Sequence, residues 1–471
     1  MAKFFITAAI PYVNARPHIG HALEFILTDV ITRYRKTIGD DVLKLSGGDE
    51  NALKNVQAAE KIGVPVQEFV DTNTELFKQL AIGLNAEFDV WQKGSDQERH
   101  FQSSQKLWSL CEKNGDIYKK TYKGLYCVGC EAFYTAEELN ENGECFEHPG
   151  RKLEEIEEEN YFFRLGKYQT QLRELIESRK LEIVPEKRRN EVLSFLKTDL
   201  KDISISRSNA RAKNWGVPVP GDDTQKIYVW FDALNIYQTG IGFGWNEEMY
   251  GKWWPADVHV IGKGIIRFHA VYWPAFLMSA GLELPKKLFV HEYFTVNGQK
   301  MSKTLGNVYD PVPLLEKHGA DPLRYYCLAK ISPFADGDFS EEKFIQAYNS
   351  DLANGIGNLC SRVAAMAEGM AATKEELKMR KEVVDLTGQY RFDEAMKLVW
   401  EMIAESDALI NRREVWKLTG DEKKLALTEL IKNIRQIGVD LQPFLPETAK
   451  KILAQFNNGE IKRAEPLFKR L

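Results

Sequence analysis

The first 48 residues show a short apolar run, a long periodic segment and a second apolar run. The run at residues 3–10 (KFFITAAI) ends at Pro11 and predicts a buried strand. From Pro17 to about Lys36, apolar residues recur at steps of three and four, which predicts a helix; they are Ile19, Leu23, Ile26, Val30 and Tyr34. DVLKLSGG then predicts a second strand. Strand, helix and strand in this order predict a βαβ unit and a parallel sheet covered by helices.

The pattern changes twice further along the chain. A cysteine-bearing segment with an acidic run occupies about 116–160, and helical and mixed segments follow to about 222. Sheet-like runs return at KIYVWFDAL and DVHVIGKG, so the simplest arrangement is one nucleotide-binding sheet split by an insertion of about 110 residues. Beyond about 346 the chain reads as successive amphipathic helices.

Composition narrows the class of protein. A chain of 471 residues is long for one core, and 44% apolar with 28% charged residues is ordinary for a globular protein. The net charge of −5 argues against binding nucleic acid by bulk positive charge. An apolar run long enough to span a membrane is missing, and the N-terminus resembles neither a secretory signal nor a transit peptide. These features predict a cytoplasmic protein that does not bind membranes.

The segment PHIGH opens the first predicted helix. A helix N-terminus offers backbone N–H groups and partial positive charge, which suits phosphate. His18 and His21 are three residues apart and so share a helical face, and Gly20 leaves room for a base or ribose. Such a pair by itself is also compatible with ordinary surface or core histidines.

A second polar segment, NGQKMSKTLGNVYDP, lies about 280 residues later. Lys300 and Lys303 are flanked by Gly298 and Gly306, which describes a flexible loop with two charges that could follow a polyphosphate during reaction. A lysine pair alone would favour a solvated turn.

Four potential metal ligands cluster between these segments. Cys127 and Cys130 are followed by Cys145 and His148 at the spacing of a zinc site. Four protein ligands leave no position for water, so the predicted Zn²⁺ is structural, one per chain. The alternative is four unrelated residues. Three further cysteines look like ordinary buried thiols: Cys111, Cys327 and Cys360.

The two polar segments together resemble the HIGH and KMSKS signatures of class I aminoacyl-tRNA synthetases, with Thr304 in place of the last serine. The resemblance implies that His18 and His21 hold the phosphates of ATP, and that Lys300 and Lys303 close over the departing pyrophosphate. It implies Mg²⁺ with the ATP and a wider set of ATP-binding residues, namely Gly20, Gly262, Lys263, Met301 and Ser302.

Three further segments resemble the methionyl-tRNA synthetases: AIPYVN at the end of the first strand, YVWFDALNIY, and HVIGK through Phe268-His269. The chain also lacks room for a large editing domain between the signatures. The resemblance implies that Asp49 receives the methionine ammonium. It implies a side-chain pocket from Ile10, Tyr12, Trp230, Ala233, Tyr237, Ile265 and His269. Two departures fall near these sites, because Asn51 replaces a histidine and Gly264 replaces an aspartate.

The same resemblance predicts tRNA(Met) as a partner, with the anticodon met by Asn358, Arg362 and Trp416. It implies an α/β fold: a Rossmann-type parallel-sheet catalytic domain split by a zinc-bearing connective insertion and followed by an all-α anticodon-binding domain. The predicted segments are 1–115 and 224–290 for the catalytic halves, 116–223 for the insertion, 291–345 for the KMSKS-loop linker and 346–471 for the helical domain. The family's optional dimerising C-terminal extension is missing, which predicts a monomer.

Two alternatives stay open at this point. A synthetase for another amino acid, cysteine being nearest in size, would share both signatures, although the cysteine enzymes place zinc in the amino-acid pocket. A degenerate RNA-binding or regulatory protein could keep the fold without catalysis, and the departures at Asn51 and Gly264 keep this alternative open. The intact histidines and lysines of both signatures argue against the second alternative.

Overall fold

A computed structural model describes residues 1–127, 132–134, 139–146, 150–301, 306–371, 375–457 and 459–471, with the backbone alone at 122, 132, 133 and 300. By its internal contacts the chain divides into two compact units. The first unit comprises Met1–Pro17, Asp41–Gln79 and Phe88–His291; the second comprises His18–Asp40, Leu80–Glu87 and Glu292–Leu471. The five-segment division expected from the sequence stays a prediction.

The described strands are β1 Lys3–Ala8, β2 Asp41–Gly48, β3 Val90–Lys93, β4 Ile117–Cys127, β5 Ala132–Tyr134, β6 Glu154–Phe163, β7 Glu182–Val184, β8 Ile203–Ser204, β9 Ser206–Ser208, β10 Pro218–Val219, β11 Asp222–Ile227, β12 Val258–Gly262, β13 Lys287–His291, β14 Phe294–Val296, β15 Gln299–Lys300 and β16 Gly337–Phe339.

The described α-helices are α1 Ile19–Thr37, α2 Leu53–Ile62, α3 Val66–Gly83, α4 His100–Lys113, α5 Gln169–Glu177, α6 Glu186–Phe195, α7 Val229–Thr239, α8 Glu247–Trp253, α9 Trp273–Ala280, α10 Val312–His318, α11 Ala320–Ala329, α12 Glu341–Ala347, α13 Asn358–Met366, α14 Lys381–Gly388, α15 Phe392–Arg412, α16 Gly420–Leu441 and α17 Pro446–Phe456. Short 3-10 turns lie at Leu165–Tyr168, Lys263–Ile265 and Val415–Lys417, and π-helical segments at Phe268–Tyr272 and Tyr348–Gly357.

The first unit is built on a parallel sheet. Among the described strands, six pair in the order β3-β2-β1-β12-β13-β7, and every pairing is parallel. The central strands are almost wholly buried and apolar, as a sheet covered on both faces requires. The predicted βαβ start of the chain is confirmed, with β2 on the predicted residues and β1 ending two residues before the predicted boundary.

Three elements differ from the expectation. Most of the run KIYVWFDAL is helical: only Lys226 and Ile227 belong to a strand, β11, and α7 begins at Val229. All of α7 is buried, so it lacks the polar face that distinguishes a helix by periodicity, and its aromatic and branched residues look like a strand. The sheet also contains β3 and β7, which the apolar pattern missed because each is only three or four residues long. By pairing with β13, β7 brings a segment expected in the insertion into the main sheet.

Two smaller antiparallel sheets complete the first unit, in the orders β5-β4-β6-β8 and β10-β11-β9. The acidic run lies in β6, which pairs with β4 over ten residues. Lys123 of β4 lies directly opposite Glu157 of β6, and Nζ of Lys119 lies 3.6 Å from the Glu159 carboxylate, its diagonal neighbour. Opposite charges on neighbouring strands stabilise the register.

The second unit is mainly helical, as predicted for the C-terminal part. Arg324 of α11 is fully buried and connects several segments of this unit. The Arg324 guanidinium pairs with Asp29 of α1 at 2.8 Å and donates to the carbonyl oxygens of Leu84, Pro443 and Phe444. One cation thus satisfies carbonyl groups just after two helices, α3 and α16, where intrahelical partners are missing. Within the described residues, no helix is both long and apolar enough to cross a membrane.

Candidate active site

His18 and His21 close the N-terminal end of α1. His18 is the N-cap in extended conformation, and its Nδ1 accepts the backbone N–H of Gly20 at 3.1 Å. In turn, Nδ1 of His21 accepts the N–H of His18 at 3.1 Å, and the two rings stack with centroids 3.8 Å apart. Because each Nδ1 accepts a hydrogen bond, the neutral rings carry their proton on Nε2, a donor suited to a phosphate oxygen.

Residues of the two signatures lie together within the second unit. A Cβ atom added at Gly20 would lie 3.0 Å from the His18 ring and 3.5 Å from Cε of Met301, so a side chain here would crowd the histidine ring. Nearby, the N–H of Ile19 donates to the carbonyl oxygen of Tyr309, downstream of the lysine loop, at 3.0 Å. The structure therefore places Met301 beside the helix end that carries the histidines. Ser302 and Lys303 lie outside the described residues.

A tight hairpin leads into the lysine loop. Asn297 and Gly298, between β14 and β15, have φ of 52° and 75°, the left-handed values that a two-residue hairpin turn of type I′ needs. The N–H of Gly298 donates to Asp338 Oδ1 at 2.6 Å, which attaches the turn to β16. The backbone of Lys300 ends β15, so the second signature begins at the end of a strand.

The residues expected to bind methionine lie in the first unit, on and around α7. Trp230 is 7% exposed, stacks on Phe268 at 3.6 Å and meets the ring of Tyr12 edge-on at 6.1 Å. Ala233 is buried on the same helix, and Ile10 and Ile265 pack against the same apolar cluster. These residues form an apolar cluster rich in aromatic rings, and such rings make favourable contacts with a polarisable thioether.

A hydrogen-bonded pair forms the polar end of this group. His269 Nδ1 lies 2.9 Å from the carbonyl oxygen of Ile265, so it is the protonated nitrogen. Its Nε2 therefore accepts a hydrogen bond from the Tyr237 hydroxyl at 2.8 Å. Burial lowers the pKa of His269 to about 4, so the ring is neutral at physiological pH.

Asp49 lies in the loop after β2, held next to the end of β1. Its N–H donates to the carbonyl oxygen of Pro11 at 2.9 Å, and it forms a bridge with Tyr12. The neighbouring Glu50 is fully buried and accepts hydrogen bonds from Thr74 and Ser95, at 2.6 Å and 2.5 Å. Burial raises the pKa of the Glu50 carboxyl. The loop that presents Asp49 is therefore anchored on both sides.

Gly262 and Lys263, expected to contact ATP, lie at the end of β12 and the start of the following 3-10 turn. This is the carboxyl edge of a parallel sheet, where ligands bind in folds of this type. Sequence reasoning missed His259 of β12, whose ring lies 4.5 Å from that of Tyr237 and whose Nδ1 is 2.6 Å from the Thr7 hydroxyl. It also assigned no role to Phe268, although both residues stand inside the quoted segments.

Two of the four predicted zinc ligands are described. Cys127 and Cys145 are buried, with their sulfur atoms 3.3 Å apart. A disulfide would need about 2.05 Å, whereas two thiolates on one tetrahedral Zn²⁺ stand roughly 3.8 Å apart. Cys130 and His148 lie outside the described residues, so the full ligand set is not described.

The residues expected to meet the anticodon lie in the second unit. Asn358 is exposed at the start of α13, and Arg362 one turn later donates to Asp407 at 3.1 Å and to Asn411 at 3.0 Å, both on α15. Trp416 lies in the 3-10 turn after α15 and is 48% exposed. An aromatic ring that open to solvent can stack on a base. The buried thiols expected at Cys111, Cys327 and Cys360 are confirmed.

Comparison with protein families gives one match that covers most of the chain. The family described as tRNA synthetases class I (M) matches residues 4–364. Methionine–tRNA ligase of Thermotoga maritima is 42% identical over 97% of this chain and 76% of its own. The enzyme of the same name from Brucella suis biovar 1 is 41% identical over 96% of this chain and 91% of its own.

Solved structures resemble the chain over nearly its full length. The methionyl-tRNA synthetase of Mycobacterium tuberculosis bound by methionyl-adenylate superposes with a TM-score of 0.91, at 34% identity, over 99% of this chain and all of that one. The ligand-free form of the same enzyme gives a TM-score of 0.84 at 33% identity, over 100% of this chain and 98% of that one. The predicted α/β class, with a parallel sheet and a helical C-terminal part, is confirmed.

Proposed function

Because the chain belongs to the methionyl-tRNA synthetases of class I, we propose that it activates L-methionine with ATP and transfers the methionyl group to tRNA(Met). The observation that carries this function is the juxtaposition of the two signatures, with the stacked pair His18 and His21 next to Met301. The apolar aromatic residues around Trp230 supply the matching site for a thioether.

The first step is attack of a methionine carboxylate oxygen on the α-phosphorus of ATP. A bond forms between that oxygen and phosphorus, the bond to the β-phosphate oxygen breaks, and pyrophosphate leaves with the electron pair. No protein nucleophile is needed, so catalysis consists of positioning and charge stabilisation. The Mg²⁺ that class I synthetases use with ATP neutralises phosphate charge.

In this proposal the imidazoles act as neutral donors. With Nδ1 of His18 and of His21 engaged by backbone N–H groups, each Nε2–H is directed to an oxygen of the α- or β-phosphate. Lys300 and Lys303 carry the charge that follows the leaving pyrophosphate, and Asp49 binds the ammonium group of methionine as a charge-assisted pair.

The second step joins the amino acid to RNA. A hydroxyl of the terminal ribose of tRNA attacks the methionyl carbonyl carbon, loses its proton, and AMP leaves. Asn358, Arg362 and Trp416 are proposed to read the anticodon. The Arg362 guanidinium is already oriented by Asp407 and Asn411, which leaves less conformational entropy to lose when RNA binds.

Methionine-dependent exchange of pyrophosphate into ATP tests the first step, and charging of a tRNA with a CAU anticodon tests the second. We expect both with the wild-type chain. Exchange with cysteine in place of methionine would support the cysteine alternative, and absence of exchange with any amino acid would support the non-catalytic one. Lys303→Ala should reduce adenylate formation far more than methionine binding; equal losses would contradict the role of Lys303.

We further propose one structural Zn²⁺ per chain, held by Cys127, Cys130, Cys145 and His148. The close approach of the buried sulfur atoms of Cys127 and Cys145 fits this donor set. The ion would tie together a segment too small for its own core. Elemental analysis should give about one zinc per wild-type chain and almost none for Cys145→Ser; equal zinc content in both proteins would reject the site.

The remaining proposals concern state and location. We propose a monomer, which light scattering coupled to size-exclusion chromatography tests by mass; a mass of twice the chain would reject it. We also propose a cytoplasmic location, which agrees with the finding on membrane-spanning helices given above. Fractionation of cells that express the tagged chain tests this location.

A further inference from the structure

Helix α7 has two differently occupied faces. The three residues proposed to line the methionine site follow the spacing i, i+3, i+7 and share one face; they are Trp230, Ala233 and Tyr237. A second set follows the same spacing on another face and is polar, although it is wholly buried; it consists of Asp232, Asn235 and Thr239. Buried polar groups need hydrogen-bond partners, so this second face must be matched by its neighbours.

Helix α4 supplies hydrogen-bond partners for most of the polar face of α7. Asp232 Oδ1 accepts the hydroxyl of Ser104 at 2.8 Å and lies 2.7 Å from Nε2 of His100. Further along, Asn235 donates to the hydroxyl of Ser103 at 2.9 Å. Asp232 lies in the first turn of α7, where the positive end of the helix dipole stabilises its carboxylate further.

The other carboxylate oxygen of Asp232 is bound by Asn51. The Asn51 amide nitrogen lies 2.6 Å from Asp232 Oδ2 and 2.7 Å from the carbonyl oxygen of Gly94. Two acceptors on one side fix the amide orientation, because only the NH₂ group can face both of them. Asn51 follows Asp49 by two residues, in the loop anchored by Glu50. Asp232 therefore joins the methionine-binding helix to the loop proposed to bind the ammonium group.

We propose that Asp232 is a positioning residue for methionine: by holding Asn51 on one side and α4 on the other, it sets the distance between the side-chain pocket and Asp49. The inference rests on the proposed function, because it needs methionine at this site. Methionine must contact both ends of this distance at once. A change in the distance weakens binding of substrate and transition state alike, which raises KM and leaves kcat nearly unchanged.

The sharpest test is Asp232→Asn, which keeps size and removes one acceptor. With its oxygen toward Ser104 and His100, the new amide points its NH₂ group at the NH₂ group of Asn51, which can only donate. With its oxygen toward Asn51, its NH₂ group faces Ser104 and His100, which must then change from donors to acceptors. We expect the KM for methionine in pyrophosphate exchange to rise about tenfold, in line with a broken buried network, while the KM for ATP changes less than about twofold.

The matched control is Asn235→Ala. Asn235 lies on the same polar face and contacts the same helix. Among the described residues it donates to Ser103, Ser104 and Thr239, and none of these belongs to the loop of Asp49. The Asn235→Ala variant should have a lower melting temperature and a KM for methionine within about twofold of the wild-type value.

The outcomes separate the two proposals. If the wild-type chain shows no methionine-dependent exchange, the proposed function fails. If it does, and Asp232→Asn and Asn51→Ala both lower the melting temperature without changing the KM for methionine, Asp232 is only structural and the inference is overturned. Should Asp232→Asn not fold, Asn51→Ala decides, because it leaves the contacts of Asp232 to α4 intact; we then expect about a threefold rise in KM.

Discussion

Two tryptophans with proposed binding roles sit in opposite environments. Trp230, in the first unit, is 7% exposed and stacked on Phe268, whereas Trp416, in the second unit, is 48% exposed in a short turn. The first belongs to a buried helix and the second to a 3-10 turn after a long amphipathic helix.

The difference follows from the ligand that each region is proposed to bind. A methionine side chain is small and is recognised by dispersion and S–aromatic contact, which require walls that are already dry and close-packed. An RNA base brings a large aromatic face of its own, so the protein needs only an accessible ring and oriented polar groups. The first region is therefore built into a core, and the second remains on the surface.

Trp230→Ala should have the largest effect on this comparison. Removing a buried aromatic wall should raise the KM for methionine about 100-fold, corresponding to about 2.7 kcal/mol, with the KM for tRNA unchanged. Steady-state pyrophosphate exchange and aminoacylation measure the two constants. Trp230→Phe, which keeps an aromatic wall, should lie much closer to wild type. A similar loss in both variants would contradict recognition by the ring.

Trp416→Ala should weaken tRNA recognition and leave methionine activation unchanged. Loss of one stacking contact costs about 1–3 kcal/mol, so kcat/KM for tRNA should fall about tenfold while pyrophosphate exchange is unaffected. Trp416→Phe is the control that retains a stacking surface. Equal loss of exchange would show that the exposed tryptophan supports the fold instead of binding RNA.

Tyr237→Phe sharpens the description of the buried site. The change leaves His269 Nε2 without the hydroxyl donor at 2.8 Å, and a lost hydrogen bond of about 1 kcal/mol corresponds to about a fivefold rise in the KM for methionine. Titration with methionine, followed by tryptophan fluorescence, gives the same comparison at equilibrium. An unchanged affinity would place the hydroxyl outside the methionine site.

The smallest effect is expected from pH. Because burial lowers the pKa of His269 to about 4, the ring stays neutral and the KM for methionine should stay constant from about pH 8 to about pH 5.5.

The same shift sets the sign for stability. The unfolded histidine takes up a proton near its ordinary pKa of about 6.5, whereas the folded one does so only near 4, so the free energy of unfolding falls as pH drops through that window. Urea titrations at several pH values should show a smaller fall for His269→Gln. Equal slopes would contradict a neutral buried ring. Burial also lowers the pKa of His259, so this residue likewise makes the free energy of unfolding fall as the pH drops.

The sequence by itself determined the elements whose burial pattern is periodic or one-sided. β2 and α1 could be predicted because one is a short apolar run and the other has apolar residues at helical spacing. The C-terminal helices were predictable for the same reason. The signatures could be read because their chemistry is local, with two imidazoles within one turn and lysines three residues apart.

The tertiary structure alone decided what depends on partners distant in the chain. Helix α7 is buried all round, so no local pattern distinguishes it from a strand, and β7 is a strand only because β13 lies beside it. The link from Asn51 to Asp232 joins residues 181 positions apart. Buried polar groups must find partners wherever the fold supplies them, and that requirement leaves no mark on the neighbouring sequence.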